Sequence, residues 1–135
     1  MGSVSRRTVM GGIAAASAAS LAEAHSPAGD EPRRYLRHQV FFWLKNPGSI
    51  QDRDKLIAGL RKLRAIAEIK ELRIGVPAET EARPVVDNSF AVSELMLFES
   101  KEAQLAYQLH PLHKAFVAEC EPLWSKVVVY DSMDV

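Results

Sequence analysis

From residue 36 onward the apolar positions follow two spacings, one of two residues and one of three to four, and each switch marks a change of element. Leu36 to Leu44 is rich in aromatic and β-branched side chains, which predicts a strand apolar on both faces. Alternation places His38, Val40, Phe42 and Leu44 on one face and Gln39, Phe41 and Trp43 on the other. Asn46-Pro47-Gly48 ends the strand with turn chemistry. Ser49 and Asp52 then form a capping pair, and Leu56, Ile57, Leu60, Leu63 and Ile66 recur at helical spacing as far as Ala67. Arg53, Lys55, Arg61, Lys62 and Arg64 fall on the outer, solvated face of that helix. A short second strand is expected over Leu72 to Val76, stopped by Pro77, then a loop over residues 78–88. The third strand runs from Phe90 to Phe98, with Phe90, Val92, Glu94, Met96 and Phe98 sharing a face. Ser100 is placed to cap a second helix through Ala103, Ala106 and Tyr107. Pro111 breaks it at His110, and it restarts through Phe116, Val117 and Cys120. Pro122 and Trp124 lead into Val127 to Tyr130, the fourth strand.

The order β-α-β-β-α-β is the ferredoxin-like arrangement, an α+β fold with a four-stranded antiparallel sheet and two helices on one face. It occupies residues 35–135, and the helices cover only one side of the sheet. The side left open is assigned Val40, Phe42, Leu44, Val92, Met96 and Phe98, too apolar to remain in water. Packing two such sheets face to face closes a barrel between two copies, so a homodimer through the uncovered sheet face is expected.

The first 24 residues have a different character. Arg6 and Arg7 precede a run of Gly, Ala, Ser, Ile and Leu that reaches Ala22, too short to span a bilayer. Ala22-Glu23-Ala24 offers small residues for cleavage, so residues 1–24 are expected to be an export signal. The paired arginines and the modest apolar run point to the twin-arginine route and a periplasmic or secreted product. Residues 25–34, rich in Pro, Gly and charge, are expected to be a flexible lead. Cleavage would leave 111 of the 135 residues, one domain, able to bury a core unaided. It takes away Arg6, Arg7 and Glu23, leaving 15 basic and 16 acidic side chains out of 17 of each. A net charge of −1 argues against nucleic acid or, after signal cleavage, an anionic membrane as partner. Cys120 is the only cysteine, so no internal disulfide can form, and on an apolar stripe it reads as a small buried hydrophobe.

The chemistry-bearing residues concentrate in Tyr107-Gln108-Leu109-His110-Pro111-Leu112-His113-Lys114-Ala115-Phe116. Histidine titrates near neutral pH, which suits it to proton transfer. A plainer reading stands beside this one: His110 ends a helix with its ring on the broken turn, while Tyr107 and His113 are satisfied polar groups at the rim of a core. A third reading, metal binding by His38, His110 and His113, lacks a Cys or carboxylate at ligand spacing, and neither metal nor cofactor is expected. Phe41, Phe42 and Trp43 read as core.

The Tyr-x-x-His-Pro-x-His-x-x-Phe run resembles the hallmark of the dimeric stress-responsive α/β-barrel (Dabb) family. The resemblance extends to His38 in the first strand, Ile74-Gly75 in the second, Phe98-Glu99-Ser100 before the second helix and Val129-Tyr130-Asp131 in the last strand. It implies the ferredoxin-like unit dimerised into a barrel. One family member, a plant polyketide cyclase, performs an aldol cyclisation, and similarity to it implies acid–base roles for His38, Tyr107 and His113. His113 would take a proton α to a carbonyl, and the Tyr107 hydroxyl would hold the developing enolate oxygen. A further histidine of that cyclase falls at Val92 here, with Glu94 projecting from the same face. The barrel is thus expected to accept a small, largely apolar carbonyl or phenolic ligand, with Val40, Phe42, Val92, Glu94 and His110 as ligand-binding positions. The alternative is a non-catalytic structural or stress-protective dimer.

Overall fold

The computed structural model describes residue 11 and residues 32–135. The expected export signal, residue 11 apart, and residues 25–31 of the expected lead lie outside the described residues. Strand β1, Leu36–Leu44, has the bounds its alternation predicts. Helix α1, Ile50–Lys62, starts where Ser49 accepts a hydrogen bond from the Asp52 backbone N–H at 3.2 Å. It tightens into a 3-10 turn at Leu63–Ala65, short of the expected end at Ala67. Strand β2 is Glu71–Gly75 and β3 is Val92–Phe98. Helix α2, Lys101–Leu109, is capped by Ser100, and α3, Pro111–Cys120, restarts the chain beyond the proline break. Strand β4 spans Trp124–Met133, longer than its apolar run of Val127 to Tyr130 predicts. Its length is set by pairing with the whole of β1, and as an edge strand it carries polar ends in solvent.

The four strands form one antiparallel sheet in the order β2-β3-β1-β4. Leu36, Val40, Phe42, Leu44, Val92, Met96 and Phe98 are all buried and pack in one core with Leu56, Leu60, Leu63, Tyr107, Phe116 and Cys120 from the helical layer. This inverts the expected assignment of faces. The side chains expected on the open side, Val40, Phe42, Leu44, Val92, Met96 and Phe98, lie beneath the helices. The open side presents Phe41, Trp43, Leu95, Leu97 and Val128, all half-buried, and an exposed Tyr130. The physical reason is that both sets are apolar. A period of two separates the sets but does not say which one receives the helices. Phe90 differs too: it precedes β3, and its ring packs at 5.0 Å on Phe41 rather than on the face of Val92.

Candidate active site

Three side chains from three elements meet where α2 and α3 cross the sheet. Tyr107, in the last turn of α2, points into the core and is 1 % exposed. Its ring lies 5.8 Å from that of His38 on β1 and 4.8 Å from that of His113 on α3. Phe98 stacks against Tyr107 at 5.1 Å and contacts His38 edge-on at 6.1 Å, which holds the three polar rings in a fixed row.

These groups wall a cavity of about 300 Å³ between the helix-covered face of the sheet and the helices. His38, Glu94, Tyr107, Gln108 and His113 supply its polar surface. Val40, Phe42, Phe116, Val117 and Trp124 supply its apolar walls, and Val127 and Val129 of β4 line it where they reach solvent. The cavity therefore lies within a single subunit, under the helices, and not in the space enclosed between two sheets.

His38 is buried, and its Nδ1 lies 2.6 Å from Asp131 Oδ1. With the carboxylate oxygen as the acceptor of this bond, Nδ1 is the donor, and the tautomer of the ring is fixed by Asp131. The contact follows from register, since His38 and Asp131 are direct cross-strand partners in β1 and β4. His113 is half-buried, and burial lowers its pKa. A backbone hydrogen bond to Gln108 works the other way, and neighbouring His38 adds to the lowering. Its imidazole is thus kept neutral and basic near pH 7. Burial, and then nearby Glu94, raise the pKa of the Tyr107 phenol, so it stays protonated and able to donate.

Glu94 is 3 % exposed, and burial pushes its pKa up to about 8. Its Oε2 has no hydrogen-bond partner among the described residues. Glu94 projects from β3 opposite Val40 and Ile74, on the same side as the buried Val92 and Met96.

The structure brings His38, Tyr107, His113, Glu94, Val40 and Phe42 to one cavity and leaves out two residues expected there. Val92 is fully buried in the core and is not part of the cavity wall. His110 caps α3, its Nδ1 accepting from the Leu112 N–H at 3.0 Å, with Pro111 at the first helical position. Asp131 and Gln108 went unmarked from sequence as groups of the site. The signal for Asp131 was available in the pairing of β1 with β4, which sets it across from His38. Among the described residues no three His, Cys, Asp or Glu side chains come together as metal ligands would.

The model of the stress responsive A/B barrel domain matches residues 36–134. No curated protein sequence is similar enough to match this chain. Among solved structures, a ferredoxin-like Dabb protein from Mesorhizobium loti superposes with a TM-score of 0.63 at 24 % identity, over 76 % of this chain and 98 % of that one. A dimeric ferredoxin-like protein from Thermobifida fusca gives 0.59 at 22 % identity, over 73 % and 90 %. The hydroxynitrile lyase of Passiflora edulis gives 0.61 at 29 % identity, over 77 % and 96 %.

Proposed function

Because the chain belongs to the stress responsive A/B barrel (Dabb) family, we propose that it binds a small, largely apolar carbonyl or phenolic ligand and moves a proton on it. The observation that carries this reading is the cavity of about 300 Å³, where two imidazoles, a phenol and a carboxyl group converge inside apolar walls. The volume suits a single substituted ring. His113 serves as the base, being the imidazole that burial holds neutral. The Tyr107 hydroxyl donates to the oxygen on which charge develops. His38 is positioned by Asp131, so that its Nε2 is directed to one task in one tautomer. Similarity to the Passiflora hydroxynitrile lyase supports proton transfer on an oxygen-bearing carbon. The subunit works as a homodimer through the open face of Phe41, Trp43, Leu95 and Leu97, a reading that the dimeric Thermobifida protein supports.

The test is a two-dimensional NMR titration of the labelled protein with acetophenone and with phenol, combined with cleavage of mandelonitrile to benzaldehyde and cyanide. Binding should shift the amides of His38, Glu94, Tyr107 and His113 first. A His113→Ala change should reduce any mandelonitrile turnover by about a hundredfold or more, the scale of a lost general base. Shifts confined to the open sheet face, or no shifts at millimolar ligand, would remove the pocket as the site. Binding without turnover would leave a ligand-binding protein.

A further inference from the structure

Glu94 has no place in a structural account of the domain. It sits in mid-strand among Val92, Met96, Val40 and Ile74, and apolar side chains of similar size would satisfy that position. An ion pair across a dimer would explain it only if it faced a partner sheet, and it does not. Glu94 lies on the helix-covered side, sealed to 3 % exposure within its own subunit. Among the described residues no lysine or arginine lines the cavity. A carboxylate left ionised there would be unpaired and desolvated, which proteins avoid by holding the proton. The titratable groups that face it are His38 from β1, Tyr107 from α2 and His113 from α3, with Asp131 of β4 behind His38. His38 is already bonded to Asp131 at 2.6 Å, Tyr107 is a protonated phenol, and His113 is held neutral, so Glu94 has no counter-ion of its own.

Resting on the pocket assignment above, we propose that Glu94 is the specificity-determining residue of the cavity: a neutral carboxylic acid whose unpaired Oε2 hydroxyl donates a hydrogen bond to an uncharged oxygen acceptor, above all a ketone or aldehyde carbonyl. An orphaned polar atom in a nearly sealed wall marks the place where a ligand atom completes the bonding. A neutral donor selects for an uncharged carbonyl. It selects against a carboxylate ligand, which would bring a negative charge against the buried Glu94 with no free cation to meet it. Glu94 then holds the carbonyl oxygen of the bound ligand, and Tyr107 donates to that oxygen only once charge develops on it, while the two imidazoles are left free to accept a proton. Raising the pH through about 8 ionises Glu94, converting the donor into an acceptor and a charge, so carbonyl binding weakens above that pH. A bound carbonyl stabilises the protonated form and moves this midpoint upward.

The experiment compares acetophenone with α-methylstyrene, which has the same shape with a CH₂ group in place of the carbonyl oxygen. Dissociation constants are taken from NMR titrations at pH 6.5 and pH 9.5 for the wild type, Glu94→Gln and Glu94→Met. The wild type should prefer acetophenone by about threefold to tenfold at pH 6.5, the value of one net hydrogen bond, and lose that preference at pH 9.5. Glu94→Gln keeps a donor without a titrating proton, so its preference should be the same at both pH values. Glu94→Met should bind both probes equally while melting no lower than the wild type, since it removes an unsatisfied polar atom. A preference that survives in Glu94→Met would assign the donor to Tyr107 or a histidine and overturn the inference. Equal affinity for the two probes in the wild type would overturn it as well, with the pocket assignment intact. Binding of neither probe would bring down the pocket assignment and this inference together.

Discussion

At the scale of single residues, burial sets the protonation states before any ligand arrives. The same desolvation acts in opposite directions on acids and bases: it raises Glu94 and Tyr107 and lowers His113. All three are thereby kept uncharged near pH 7, the condition burial imposes on groups that lack counter-ions. For Glu94 this has a measurable consequence in stability. Its pKa is about 8 when folded against an ordinary value of 4.5, so between those two pH values the native state holds a proton that the unfolded chain has released. The favourable contribution is complete below pH 4.5 and is lost as pH rises through about 8, with a slope of up to about 1.4 kcal/mol per pH unit from this group. Thermal melts between pH 5 and pH 8 should therefore show a fall in Tm with rising pH that Glu94→Gln flattens. Parallel curves for the two proteins would mean that Glu94 is ionised in the native state.

At the scale of elements, the helical layer depends on one close approach. Gly59 of α1 is buried against α3, where a Cβ would come within 2.6 Å of Cys120 Sγ and 3.3 Å of the Phe116 ring. In an open helix, alanine would be favoured over glycine by about 1 kcal/mol. Here the added carbon meets a fully buried sulfur, and overpacking of this kind costs about 1–3 kcal/mol. Gly59→Ala should lower the denaturant midpoint, and Cys120→Ala in the same chain should restore part of the loss by removing the sulfur. If the double variant is as unstable as the sum of the two single ones, the contact is not what excludes a side chain at position 59. The helix starts are more local affairs. Ser49, Ser100 and His110 each accept from a backbone N–H within three residues, at 3.2, 3.0 and 3.0 Å. The first two could be read from side-chain type alone, because capping is a short-range property of the chain.

At the scale of the whole molecule, the sheet has one face covered by its own helices and one open face, to which we assign the contact with a second copy. Phe41, Trp43, Leu95, Leu97, Val128 and Tyr130 form that second face, with Phe41 packed edge-on against Phe90 and Tyr130 at 5.0 and 6.0 Å. Leu95→Lys places a charge in the middle of it without touching the core, and by sedimentation the domain should then run as a folded monomer. A folded, unchanged dimer would show that the subunits meet elsewhere. Lysine at Met96 would report on something else, because Met96 is fully buried under the helices and its replacement would unfold the subunit. We also infer, from Arg6, Arg7 and the short apolar run behind them, that the chain is exported by the twin-arginine route. Replacing both arginines by lysine should leave the precursor in the cytoplasm, and normal export of that variant would refute the assignment.

What the sequence determined by itself was local: which segments are strands or helices, where serines cap, and where Pro111 interrupts the second helical stretch. These follow from side-chain type and from spacing within one element, so β1 and the order of elements were legible without coordinates. His38, Tyr107, His113 and Glu94 were legible as chemistry-bearing residues because polar groups in apolar runs stand out. The tertiary structure alone decided which apolar face of the sheet the helices cover. It also decided that the cavity lies beneath them, and that His110 is spent on a cap. Asp131, 93 residues from His38, entered the site only through cross-strand register. Alternation fixes two faces without ranking them, and pairing between distant strands is settled by packing of the whole sheet against its helices.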